Sequence, residues 1–110
     1  MLYQLRHADG KHWLSGSWIN PDGSSQTLKA DDIILTPSQW QTIAVQKQGK
    51  TIDLKLPLNW IIELPKLQKR WTIGTPYPNQ WMAAQFPYWE GIVTVDGGKS
   101  GMGYMELTGY

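Results

Sequence analysis

Three pairs among the acidic and histidine side chains of this sequence are spaced so that acid–base or metal chemistry could be asked of them: Glu90 with Glu106, Asp31 with Asp32, and His7 with His12. The two glutamates flank the turn DGGKSG at 96–101, inside the closing stretch YWEGIVTVDGGKSGMGYMELTGY. Pairing Val95 with Met102 across that turn sets Gly91 opposite Glu106 and Glu90 opposite Leu107. The acids then take opposite faces of the hairpin, and one of them points inward. A carboxyl in an apolar interior resists ionisation, and in its protonated form it can act as a general acid toward an alkene. Glu90 and Glu106 are therefore the catalytic candidates. An ion pair, or a hydrogen bond to Tyr or Trp at the mouth of the fold, is the non-catalytic alternative.

The other two pairs carry less chemistry. Asp31 and Asp32 are adjacent in ADDIILTP, and neighbours on a strand face opposite ways, so they form no paired-acid site. Their expected role is to satisfy loop amides at a strand entry. His7 and His12 bracket the ADGK turn with no third ligand near them in sequence, so they are expected to be exposed, and no metal is expected. The absence of cysteine excludes disulfides and thiolate ligands. Neither a G-x-S-x-G nucleophile elbow nor a phosphate-loop motif occurs, and no cofactor is expected.

Aromatic content is the unusual feature: seven Trp and five Tyr against a single Phe. Trp and Tyr join a large apolar surface to one polar handle, which suits a wall that is apolar yet meets a polar group. Trp18, Trp40, Trp60, Trp71, Trp89 and Tyr104 are the candidate ligand-binding residues, lining a calyx for a small apolar or amphipathic molecule. Ordinary core packing of these rings is the alternative. Gly91, Gly103 and Gly109 fit close approach by bulky neighbours.

Positioning these residues requires strands. Turn signals recur at short intervals: ADGK at 8–11, NPDGSS at 20–25, KQGK at 47–50, LPK at 64–66, TPYPNQ at 75–80 and DGGKSG at 96–101. Between them apolar residues alternate. Ile52, Leu54 and Leu56 share a face, as do Trp60, Ile62 and Leu64, and Trp89, Gly91, Val93 and Val95. The segment SQWQTIAVQKQ at 38–48 fits a helical stripe only in part and is rich in β-branched residues, so it reads as a strand. Strands are expected near 2–7, 12–19, 25–35, 39–46, 50–56, 58–64, 69–75, 81–86, 87–95 and 102–109, with some neighbours merging. The expectation is an all-β protein with one domain over 1–110, an antiparallel up-and-down barrel of about eight to ten strands, with a sandwich as the competitor.

Charge removes some function classes. Ten Lys or Arg balance nine Asp or Glu, a formal net charge of +1, which is no footprint for a nucleic acid. The one basic cluster, Lys66, Lys69 and Arg70, is expected to be a solvated loop. Apolar runs such as Trp60-Ile61-Ile62 are far too short to insert into a membrane. No basic segment leads into an apolar run at the start, so a cytoplasmic location is expected.

The closing segments YWEGIVTVDGG and GMGYMELTGY resemble the C-terminal signature of the AttH-like and carotenoid 1,2-hydratase-like family of lipocalin-related proteins. Upstream, MLYQLRHADG, SGSWINPDG, ADDIILTP and LPLNWIIELP follow the order of that family's second domain, so the resemblance spans nearly the whole chain. It implies a lipocalin-like barrel corresponding to the second of two. It also implies relatives that hydrate carotenoid double bonds or cyclise polyenes. The residue after Tyr3 is Gln4, not an acid, which departs from a catalytic carboxylate there.

Three functions follow as expectations: binding of a small hydrophobic ligand first, a hydratase- or cyclase-like enzyme using Glu90 or Glu106 second, and a protein- or sugar-interaction module third. A barrel without its companion domain leaves an uncovered edge, so a homodimer with twofold symmetry is expected.

Overall fold

Alternating apolar residues between Gly, Pro and Asn/Asp turns become nine strands in the computed structural model, which describes all residues, 1–110. They are β1 (Leu2–Arg6), β2 (His12–Ile19), β3 (Ser25–Leu28), β4 (Ile34–Lys47), β5 (Lys50–Leu64), β6 (Lys69–Gly74), β7 (Trp81–Met82), β8 (Tyr88–Asp96) and β9 (Ser100–Leu107). The rest is turn and loop, with 3₁₀ turns at Ala30–Asp32 and Pro65–Leu67. The all-β, antiparallel expectation holds. No helix is long and apolar enough to cross a membrane.

The strands form two sheets, one ordered β1-β2-β3 and one ordered β4-β5-β6-β8-β7 with β9 also on β8. The chain divides into two units: Met1–Ile34 with Glu63–Lys69, and Leu35–Ile62 with Arg70–Tyr110.

In the first unit, the β1–β2 and β2–β3 hairpins turn at Gly10 and Gly23, both with positive φ. The Asp9 and Asp22 carboxylates accept from the amides of Lys11 and Ser24, each at 2.9 Å, which closes both turns locally. Gly16 lies opposite Leu2 on one side and Leu28 on the other. A Cβ at Gly16 would sit 2.6 Å from Leu2 Cδ2 and from the Met1 carbonyl, so only glycine fits there. The strand expected over 25–35 stops at Leu28. The Asp32 carboxylate accepts from the Lys29 amide at 2.9 Å and bends the backbone into the Ala30–Asp32 turn.

In the second unit, Gln48 and Gly49 carry φ of 54° and 75°, the positive pair that a two-residue hairpin needs to match strand twist. The strands expected at 50–56 and 58–64 are one strand, β5, running through Pro57. Leu54, Leu56, Leu58, Trp60 and Ile62 share its inner face. They meet Ile43 and Val45 of β4, Ile73 of β6, Trp89 and Val93 of β8 and Leu107 of β9 in one apolar cluster. The 38–48 segment lies within β4, as its β-branched residues indicate.

Strand β8 carries both sides of this unit. Thr72, Ile73 and Gly74 of β6 pair with Asp96, Val95 and Thr94, and β7 pairs Trp81 with Trp89 and Met82 with Tyr88 on the other half of β8. β9 pairs along nearly the whole strand, from Trp89–Leu107 to Asp96–Ser100.

That register corrects the expected one. The loop is the three residues Gly97, Gly98 and Lys99, so Val95 meets Gly101, not Met102, and Glu90 lies directly opposite Glu106. Because side chains alternate with period two, a one-residue slip carries Glu106 onto the face of Glu90. Both glutamates stand on the face opposite the core, so neither points inward.

Leu58 has no exposed surface and Ile92, on the outer face of β8, is partly exposed. Leu58→Ala is expected to lower unfolding free energy by about 2–5 kcal/mol in urea denaturation, and Ile92→Ala by less than about 1 kcal/mol.

Candidate functional site

Within the first unit a cleft of about 300 Å³ is lined by Gln26, Thr27, Leu28, Asp32, Leu64, Lys66 and Leu67. Three elements build it. The sheet brings Gln26, Thr27 and Leu28 on β3, the first 3₁₀ turn brings Asp32, and the end of β5 with the Pro65–Leu67 turn brings the rest. Leu28 and Leu64 are buried and form the apolar part. The Lys66 Nζ reaches the Asp32 carboxylate at 2.5 Å and ties the two 3₁₀ turns together. Hydrogen bonding from Lys66, then from the Lys29 amide, holds the Asp32 carboxyl below its usual range, and the same contact with Asp32 pushes the Lys66 ammonium up. The result is a small opening with an apolar floor of leucines and a charged, hydrogen-bonding rim.

Of the six expected aromatic ligand residues, Trp18 alone belongs to the unit that holds this cleft. It lies directly across the β2–β3 ladder from Gln26, with its indole N–H donating to Asn20 Oδ1 at 2.9 Å. The others belong to the second unit. Trp60 and Trp89 are buried in the packed cluster, and Trp71 packs against it. The Trp60 indole donates to the Pro57 carbonyl and the Trp89 indole to the Pro78 carbonyl, each at 2.7 Å, so their polar handles are already used by backbone. Trp40 is 46% exposed and meets the ring of Tyr110 edge-on, while Tyr104 stands on the outer face of β9. None of these five lines the cleft, whose leucines and ion pair the motif reading passed over. The signal for them was the pairing of an acid after β3 with a lysine in LPK, and nothing local in sequence joins those two positions.

Glu90 and Glu106 face each other across β8 and β9, with Tyr88 beside Glu90 on β8 and Tyr104 beside Glu106 on β9, all on one face. Partial desolvation against the sheet pushes the Tyr88 and Tyr104 hydroxyls up. The Glu90 charge and hydrogen bonding to its carboxylate add to this, with Glu106 contributing further. The arrangement is two glutamates and two tyrosines on an outward face, not an acid enclosed in apolar surroundings.

His7 and Asp9 pair at 2.8 Å on the exposed turn, and no group of three or more His, Cys, Asp or Glu is placed to hold a metal ion. Asp31 and Asp32 lie in a 3₁₀ turn, where Asp32 alone bonds the backbone. Lys66 of the basic cluster is engaged with Asp32. Tyr3 and Trp13 form an exposed pair on the outer face of β1 and β2, but their planes meet at 60°, so they make no flat platform for stacking a sugar.

Two expected outcomes test this geometry. The Asp32 carboxyl is depressed in the folded state, so its contribution to stability is complete above the ordinary value of 3.8 and disappears as pH falls through the lower folded value. Lys66 is raised, so its contribution is complete below 10.5 and is lost as pH climbs through the higher folded value. Asp32→Asn should therefore show a lower urea midpoint than the parent at neutral pH, with the two curves converging in acid. In the second test, ultraviolet titration of phenolate absorbance in Glu90→Gln should show the late-titrating tyrosines ionising at lower pH than in the parent. Desolvation would still hold them above their ordinary value.

Comparison with known proteins gives the following. No curated protein matches the chain. The solved structure of a Nitrosomonas europaea protein proposed to be AttH aligns with 99% of this chain at a TM-score of 0.81 and 24% identity. This chain covers 34% of that one, about a third of its length, and at this identity the likeness concerns the fold. The AttH-like family model matches residues 1–110 from end to end. The chain belongs to the AttH-like family.

Proposed function

We propose that this chain is a lipocalin-like binding module for a small amphipathic ligand, seated in the cleft of the first unit. The observation that carries the reading is the composition of that cleft. Leu28, Leu64 and Leu67 offer an apolar surface, while Lys66, Asp32, Gln26 and Thr27 offer charge and hydrogen bonds at its rim. Burial of an alkyl chain on the leucines supplies affinity, and the polar rim orients the headgroup. A volume of about 300 Å³ stands at the lower end of ligand pockets, so the ligand is a short-chain one. Lys66 favours an anionic head, which would compete with Asp32 for the ammonium.

The lipocalin-like part of the proposal is supported by how the larger sheet curls. The Lys47 ammonium on β4 donates to the Tyr110 carbonyl at 2.9 Å, and the Trp81 indole on β7 donates to the Gln46 carbonyl at 3.0 Å. These bonds tie β4 to β7, which shares one edge of β8 with β6, and to Tyr110, three residues beyond β9, so the sheet curls back toward β4 in the manner of a barrel. The hydratase- or cyclase-like alternative fits less well. Glu90 and Glu106 occupy an outward face, where an apolar polyene would not be shielded from water.

The test is a titration of intrinsic tryptophan fluorescence with a short-chain fatty acid and with the alcohol of equal chain length. Trp18, across the ladder from Gln26, is the expected reporter. Saturable binding of the acid, weakened about tenfold or more by Leu67→Asp, supports the site. Lys66→Gln should weaken the acid and leave the alcohol unchanged. No saturable response in the folded parent, or unaltered binding by Leu67→Asp, overturns the proposal.

A further inference from the structure

The outer edge of β9 presents its backbone N–H and C=O groups to no other strand, because β9 pairs with β8 alone. Other edges of the two sheets are blunted. β7 is two residues long, β3 is four, β1 ends in Arg6, and β4 contains Pro37. Short strands, cations and prolines are the usual devices against edge-to-edge pairing. Ser100–Leu107 has none of them: it is eight residues long and lacks Pro, Lys and Arg. Met102 and Tyr104 on its outer face are 83% and 65% exposed.

The alternation of residue sizes along β9 is also self-complementary. Its inner face carries Gly101, Gly103, Met105 and Leu107, small residues first and large ones last, and its outer face carries Met102, Tyr104 and Glu106. We propose that this edge pairs antiparallel with the same edge of a second copy of the chain, about a twofold axis at Tyr104. In that register Gly101 lies opposite the partner subunit's Leu107, and Gly103 lies opposite the partner subunit's Met105. Every inner glycine meets a bulky side chain. On the outer face Tyr104 meets the partner subunit's Tyr104, and Met102 meets the partner subunit's Glu106. Twofold symmetry about an axis normal to the sheet keeps inner residues with inner and outer with outer. Moving the axis to Gly103 would set glycine against glycine and leave the inner face open, which selects Tyr104.

A strand pair alone buries less than the roughly 800 Å² per partner of a standard stable interface. The association is therefore weak and concentration-dependent. The chain has no cysteine, so a single introduced one reads the register directly.

Tyr104→Cys places two thiols across the axis, within the span of a cross-strand pair, whereas Met102→Cys faces the partner subunit's Glu106. Both positions are exposed, and far-ultraviolet circular dichroism checks that each variant keeps its fold. Light scattering of the parent is expected to show a monomer giving way to a dimer as concentration rises. Under mild oxidation Tyr104→Cys should form a disulfide-linked dimer about tenfold faster than Met102→Cys. A parent that stays monomeric at every concentration overturns the proposal. So does a dimer in which Met102→Cys links as fast as Tyr104→Cys, since its edge or register is then a different one.

Discussion

The second unit depends on strand β8 being held on both edges at once. β9 occupies one edge throughout, while β6 and β7 divide the other, β6 along residues 94–96 and β7 along 88–89. Between those two partners the Glu90 amide donates to the Gln80 carbonyl at 3.2 Å, so the loop before β7 fills the gap in the ladder. Gly91 makes room for this. A Cβ there would coincide with the Gln80 side-chain amide, which is itself bonded to Thr75 Oγ1 and the Tyr77 carbonyl. Trp89, with no exposed surface, is fixed from the same loop through its bond to the Pro78 carbonyl. A buried indole N–H without an acceptor costs roughly 1–3 kcal/mol, so that single bond couples the core to the path of the loop.

Once β8 is fixed in this way, its outer face follows. Trp89, Gly91, Val93 and Val95 must face the cluster, which sends Tyr88, Glu90 and Ile92 outward, and the Asp96–Ser100 closure sends Tyr104 and Glu106 to meet them. Two like charges directly across an antiparallel pair oppose pairing. Tyr88 and Tyr104 stand on the same face, and desolvation first, then the Glu90 charge, raises both hydroxyls and keeps them neutral beside the two acids.

The first unit is organised by different means. Its sheet is small, and the two 3₁₀ turns are joined by the Asp32–Lys66 contact. The leucines of the cleft would be a poorly covered apolar surface without those turns. The ion pair gives the opening its shape while leaving Lys66 largely exposed to solvent. The cleft combines residues from β3, a loop and the end of β5, and the charge at its rim comes from a lysine whose partner is distant in sequence.

What the sequence determined by itself was local. Period-two alternation and the Gly, Pro and Asn/Asp turns placed most of the strands and showed which face of β5 and of β8 is apolar, because backbone pleating and turn geometry act over a few residues. The signature from Tyr88 to Tyr110 identified the family for the same reason: it is contiguous. Tertiary structure decided whatever depends on pairing between segments. The three-residue loop at Gly97–Lys99 shifted β9 by one residue and put Glu106 beside Glu90. The Asp32 carboxylate ended β3 early, and apolar burial drew Trp60 and Trp89 into the core, where the Pro57 and Pro78 carbonyls accept from their indoles, while Trp40 stayed at the surface. Neither the strand register nor the meeting of Asp32 with Lys66 has a local signal, since each is settled by the lowest-energy packing of chain segments far apart in sequence.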